Sequence, residues 1–107
     1  LKDSTPFLAP EYIIPLKAKA FLDLSEKKNA GESIDSRDIN KHRNDVFRLY
    51  QILTLDKSVI LPGDLPSDMK RFIDIVSKQN VIISEFGIRR QSLSEVLENL
   101  RRIFNLI

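Results

Sequence analysis

The sequence predicts an all-α protein of about four helices, packed as a small bundle with short connections. Apolar residues recur at spacings of three and four in separate segments, which is the helical pattern. Proline, glycine and capping residues punctuate the chain between these segments. With 107 residues the chain is long enough for one modest core, so we expect residues 1–107 to form a single helical domain.

The first helix is expected from about Pro10 to about Asn29. Pro10 suits a first helical turn and Glu11 complements the helix dipole there, while Gly31 is a stop signal. The segment IIPLKAKAFLDL predicts an apolar face, with Lys17 projecting between its members. These members are Ile13, Leu16, Ala20, Phe21 and Leu24.

The second helix is expected to begin at a cap formed by Asp35 or Ser36 and to end near Thr54. Asp38 lies inside its first turn, where a negative charge is favourable. An apolar stripe at helical spacing predicts its buried face: Ile39, Val46, Leu49, Tyr50 and Leu53.

Two further helices complete the bundle. The third is expected to have Pro66 near its first position and to close at Gln79 or Asn80, with a buried face of Met69, Phe72, Ile73 and Val76. The fourth is predicted by a capping box, Ser92 followed by Glu95. Its apolar residues are Leu93, Val96, Leu97, Leu100, Ile103 and Phe104. The short β-branched runs at 59–61 and 81–83 are expected to be connections that touch the core.

Lys17 is a charge on an otherwise apolar face, and burial of an unpaired ammonium is costly. Its stem could lie on apolar surface while the ammonium reaches water. Alternatively, the first two helices pack side by side and Lys17 meets Asp45 or Asp38, because Asp38, His42 and Asp45 share one edge of the second helix. His42 then has two interpretations, an ordinary structural pair with Asp38 or a member of a site.

Composition excludes several function classes. Seventeen basic and fifteen acidic residues leave a net charge of +2, which argues against nucleic-acid binding by bulk charge, although arginines 89, 90, 101 and 102 keep RNA binding as a minor alternative.

The chain has no cysteine, so a thiolate metal site or disulfide framework is excluded, and we expect a cytoplasmic protein without a membrane span. A magnesium site of Asp38, His42 and Asp45 is disfavoured because three ligands on one helix edge rarely converge; we predict no metal site.

Two segments carry a family resemblance: IPLKAKAFLDL and, after it, IDSRDINKHRNDVFRLYQIL. Together they resemble the carboxy-terminal helical part of nucleotidyltransferase-like proteins of the AbiEii type, many of which act as toxins in toxin–antitoxin or abortive-infection systems. In this resemblance Lys17 falls on the lysine of a lysine-bearing helix. Lys41, His42 and Asp45 fall on a basic-acid-x-x-acid element of the next helix, and His42 stands where an acid is usual.

The resemblance implies that Lys17, Asp45 and His42 are the candidate catalytic residues and that Lys17 also contacts nucleotide phosphates. The family's glycine-serine loop and aspartate pair, which would hold magnesium and the nucleoside triphosphate, have no counterpart here. Because the chain begins with Leu1, we expect a piece of a longer protein, inactive alone, that completes an upstream nucleotidyltransferase domain and has an antitoxin as a further partner. The alternative is a non-catalytic helical interaction module that uses Phe7 and Leu8.

Overall fold

A computed structural model describes residues 9–54 and 56–106. In these ranges it contains four α-helices and no strand, which confirms the predicted all-α class. The helices are α1 (Pro10–Asn29), α2 (Ser36–Tyr50), α3 (Leu65–Ser77) and α4 (Leu93–Ile103). A single 3-10 turn, Ile83–Phe86, lies between α3 and α4.

The core forms where α1 packs against both α2 and α3, and α4 closes it by packing on α3. The rings of Phe21 and Phe72 meet edge to face at its centre, with centroids 5.2 Å apart, which is a favoured aromatic geometry. The buried faces predicted for α3 and α4 are confirmed, except that Leu93 is only partly buried. Phe47, which the predicted stripe of α2 omits, is fully buried.

The prediction of which face of α1 is buried is wrong. The residues that this helix buries are Ile14, Pro15, Ala18, Phe21 and Leu22, so Phe21 is the only member shared with the predicted face. Leu16 is 56% exposed. The sequence of α1 is apolar on more than one side, and its facing is set by simultaneous packing against α2 and α3 rather than by its own periodicity.

The helix α2 ends at Tyr50, one turn earlier than the predicted Thr54. The hydrogen bonding changes there to the tighter 3-10 pattern, because the amides of Ile52 and Leu53 donate to the carbonyls three residues before them. The Gln51 side chain donates to the carbonyl of Phe86, which fixes this turn to the 3-10 segment. Leu53 is nevertheless buried, as the stripe predicts.

The helix ends follow the predicted chemistry. Asp35 caps α2 by accepting a hydrogen bond from the Arg37 amide, and Ser92 and Glu95 form the complete capping box of α4. Gly31 ends α1 in the left-handed region, at φ 96°. The end of α3 differs, at Ser77 rather than at residues 79 or 80.

The runs at 59–61 and 81–83 are connections, as predicted. Val59, Leu61 and Ile83 are buried, and the Val59 amide donates to the Ile103 carbonyl at 2.7 Å. This bond fixes the connection between α2 and α3 to the end of α4. None of the helices in the described part of the chain combines the length and the apolar character needed to cross a bilayer.

Candidate functional site

Lys17 and Asp45 form an ion pair between α1 and α2, with the ammonium nitrogen 3.1 Å from a carboxylate oxygen. The two helices form an antiparallel hairpin joined by the short loop 30–35. Next to this loop, Lys28 of α1 donates to Ser36 of α2. This hairpin brings the middle of α1 beside the second half of α2, as the helical spacing predicts. Of the two partners predicted for Lys17, Asp45 makes the contact.

The pair is only partly withdrawn from water. The side chain of Lys17 is 32% exposed and that of Asp45 is 19% exposed. The lysine stem therefore crosses the boundary of the core while its ammonium stays at the rim, where a charge is tolerated. A pair in this position can still meet a ligand or another protein surface.

Asp45 holds a second cation, Arg48, whose guanidinium lies 3.2 Å from the other carboxylate oxygen. Arg48 also lies over the ring of Phe86, 5.4 Å from its centroid, and Phe86 stacks on Phe47 at 5.7 Å. One carboxylate between two cations leaves a local charge of +1. The cluster of Lys17, Asp45, Arg48 and Phe86 is therefore suited to attract an anion.

Sequence analysis missed Arg48 and Phe86 as members of this cluster. Arg48 follows Asp45 by three residues, a spacing that predicts contact on a helix surface and could have identified it. Phe86 comes from the 3-10 turn, far along the chain, and no local pattern points to it.

His42 lies on the same edge of α2, but the structure does not link it to the cluster. Its Nδ1 atom is buried and has no hydrogen-bond partner among the described residues. Neither Asp38 nor Asp45 forms an ion pair with it, so the predicted structural pair of Asp38 and His42 is absent from the described contacts. Asp38 itself is exposed.

The magnesium alternative also requires Asp38, His42 and Asp45 to converge. In the ranges 9–54 and 56–106, no group of three histidine, cysteine or carboxylate residues is placed to hold a metal ion. The edge of α2 therefore does not assemble those three ligands.

The neighbouring lysine, Lys19, is directed to the opposite side of α1. Its ammonium lies 3.9 Å from a carboxylate oxygen of Asp68 on α3 and 4.0 Å from one of Asp23. Lys17 and Lys19 are thus matched in residue type and helix but differ in surroundings, which makes Lys19 the natural control for Lys17.

The helix that carries Lys17 also has an exposed apolar edge. Tyr12 and Leu16 are one turn apart on α1, so their side chains line up, and they are 52% and 56% exposed. Leu16 directly precedes Lys17 in the chain. The lysine therefore stands between an acidic partner on α2 and open apolar surface on α1.

Comparisons with known proteins find no family model, no curated protein and no solved structure that matches this chain. The resemblance to the AbiEii type therefore rests on the two quoted segments alone. The Lys17–Asp45 contact is a property of this structure and does not depend on that resemblance.

Proposed function

We propose that this chain is the helical carboxy-terminal part of a nucleotidyltransferase-like protein and that it contributes Lys17 to the active site of an upstream catalytic domain. The observation that carries this proposal is the Lys17–Asp45 ion pair, 3.1 Å long at the rim of the α1–α2 hairpin. Asp45 orients the lysine, and the ammonium meets the phosphates of the nucleotide.

The electrostatics of the cluster support this role. Asp45 is shared with Arg48, so its charge does not neutralise both cations and the cluster keeps a net positive charge. Nucleotidyl transfer spreads negative charge over phosphate oxygens, and a preorganised cation stabilises that charge. A lysine fixed by a carboxylate supplies such a cation without a large rearrangement.

The open apolar edge supports the presence of a covering partner. Tyr12 and Leu16 are large and exposed, and Leu16 directly precedes Lys17 in the chain. An upstream domain of the same parent protein would cover this edge and bring its own active-site residues to Lys17. Burial of two such side chains would contribute roughly 2–4 kcal/mol to the contact.

The remaining parts of the reaction belong to the proposed parent protein. Its upstream domain would supply the glycine-serine loop and the aspartate pair, which bind the nucleoside triphosphate and Mg²⁺. The chain alone is inactive under this proposal, because phosphoryl transfer needs metal-assisted charge stabilisation. We place the protein in the cytoplasm, with an antitoxin as a further protein partner.

Replacement of Lys17 by Ala in the parent protein tests the proposal. Nucleotide transfer should fall by about two orders of magnitude or more, since one preorganised donor at a developing charge contributes that much. The fold should persist, as judged by circular dichroism, because the ion pair is at the rim. Lys19→Ala is the matched control and should leave transfer unchanged.

Two results would remove the proposal. The first is full activity of the Lys17→Ala parent. The second is an open reading frame with no upstream domain bearing a glycine-serine loop and an aspartate pair.

The second candidate function is a helical protein-interaction module without a catalytic part. The exposed pair Tyr12 and Leu16 favours it, whereas the residues predicted for this surface, Phe7 and Leu8, lie outside the described residues. Leu16→Glu tests the apolar surface that both functions use, and Lys17→Ala separates them. Leu16→Glu should weaken association in both cases, but loss of transfer on Lys17→Ala is expected from the catalytic role alone.

A further inference from the structure

A shallow groove lies on the molecule where the end of α2 faces the segment that leads into α4. It has a volume of about 480 Å³ and is wide open to solvent. Its lining combines two arginines, Arg89 and Arg90, with the amide side chains of Gln51 and Gln91 and an apolar floor that includes Ile88. Among the described residues, no carboxylate lines it.

Arg89 and Arg90 differ from every other arginine in the described part of the chain. Four of those others pair with carboxylates: Arg37, Arg48, Arg71 and Arg101. Arg43 and Arg102 donate to amide oxygens. Arg89 and Arg90 are exposed and form neither an ion pair nor a hydrogen bond with another described side chain. Two adjacent cations in one concave site that no described carboxylate neutralises attract an anion.

The polar wall of the groove is fixed before any ligand arrives. Asn99 donates to the Tyr50 hydroxyl at 2.8 Å, and that hydroxyl donates to the Gln91 side-chain oxygen, also at 2.8 Å. This bond to the Gln91 oxygen orients its side-chain amide, whose nitrogen is the donor that a ligand can meet. Arg102 completes this chain of bonds by donating to Asn99 at 3.0 Å.

The opposite wall is fixed by a glycine. Gly87 adopts φ 87°, a conformation that other residues rarely adopt, and a β-carbon there would lie 2.7 Å from the Gln51 side-chain oxygen. Gln51 in turn donates to the Phe86 carbonyl. The loop that carries Arg89 and Arg90 therefore has a defined start, and the groove is preformed.

We propose that this groove binds a small organic phosphate. Guanidinium groups match phosphate oxygens with paired hydrogen bonds, and the Gln91 amide supplies a further donor. The apolar floor suits the carbon skeleton of the ligand. An extended nucleic-acid strand fits less well, because most other described arginines are paired with carboxylates.

The site is separate from the proposed role of Lys17, and its test needs only this chain. Ribose 5-phosphate, ribose and inorganic phosphate are titrated into isotope-labelled protein, and amide chemical shifts are recorded. Ribose 5-phosphate should give saturable shifts confined to residues 87–92 and the Gln51 and Gln91 side chains. Ribose should give none, and inorganic phosphate should bind more weakly.

The double variant Arg89→Gln with Arg90→Gln should weaken ribose 5-phosphate binding by at least about tenfold, since both charge-assisted contacts are lost. The control is Lys41→Gln with Lys70→Gln, which removes the same charge from exposed positions elsewhere and should bind as the unaltered protein does.

Three results would overturn the assignment. They are equal binding by the double variant, equal affinity for inorganic phosphate, and shifts from a short oligoribonucleotide that spread beyond the groove with tighter binding than ribose 5-phosphate.

Discussion

Asp45 is the residue on which the candidate site depends, because each of its carboxylate oxygens forms an ion pair with a different cation. A partly exposed ion pair contributes little to folding, since water competes for both charges and two side chains lose freedom. The value of this arrangement is geometric. Asp45 holds Lys17 and Arg48 in defined places at modest energetic cost.

We expect the coupling energy between Lys17 and Asp45 to be at most about 1 kcal/mol. A double-mutant cycle of Lys17→Ala and Asp45→Ala, measured by urea denaturation, gives this value directly. A coupling of several kcal/mol would contradict a rim position and would mean that the pair is structural. The small expected value is also what makes Lys17→Ala interpretable as a test of activity.

Residue-level patterns identified half of this cluster. The spacing of Asp38, His42 and Asp45 placed them on one edge of α2, and Asp45 makes the contact with Lys17. Phe86 lies under Arg48 because the 3-10 turn packs on α2. This is a tertiary contact, which local sequence patterns do not predict. His42 lies on the same edge of α2 as Asp45 but makes none of its contacts with Lys17 and Arg48. A helix edge extends along the whole helix, whereas the site occupies only one part of it.

At the scale of elements, the first turn of α1 is stabilised by a charge at its amino end. Glu11 lies close to an ammonium, its carboxylate 3.0 Å from Lys57. Its pKa is lowered from the ordinary value of 4.5 by a hydrogen bond from its own backbone amide and by the Lys57 contact. A negative group at this end also complements the helix dipole.

The lowered pKa makes this contribution dependent on pH. A carboxylate with a lower pKa in the folded state stabilises the fold fully above its unfolded-state pKa, and this stabilisation is lost as the pH falls from 4.5 through the lowered value. Glu11→Gln should therefore lower the thermal midpoint at about pH 7 and have a smaller effect at about pH 3. Thermal unfolding of both proteins at both pH values measures this. An equal difference at both would contradict it, and the exposed Glu32→Gln variant is the control.

Helix boundaries and helix faces were predictable to different degrees. The amino-terminal caps of α2 and α4 follow from short-range hydrogen bonding, so Asp35, Ser92 and Glu95 could be read from sequence. The face of α1 could not, because the helix is enclosed by two neighbours and has apolar residues on both sides. Leu16 and Ile14 are equally apolar, and only tertiary packing decides which of them is buried.

At the scale of the whole molecule, the end of α4 holds the connection between α2 and α3 in place. Asn105 lies just past α4 at φ 56°, and its side-chain nitrogen donates to the Val59 carbonyl at 2.9 Å and to the Ser58 hydroxyl at 3.1 Å. The amides of Asn105 and Leu106 close the helix by donating to the carbonyls of Arg102 and Arg101. One residue thus ends a helix and joins it to a distant loop.

These two roles of Asn105 can be separated by substitution. Asn105→Gly keeps the left-handed conformation and loses the side-chain bonds, which should cost about 1 kcal/mol. Asn105→Ala loses the bonds and also strains the backbone, so its cost should be about 2 kcal/mol. Urea denaturation of the three proteins measures both steps. Equal destabilisation by Gly and Ala would mean that the conformation contributes nothing. Wild-type stability in Asn105→Gly would mean that the bond to Val59 does not hold the α2–α3 connection.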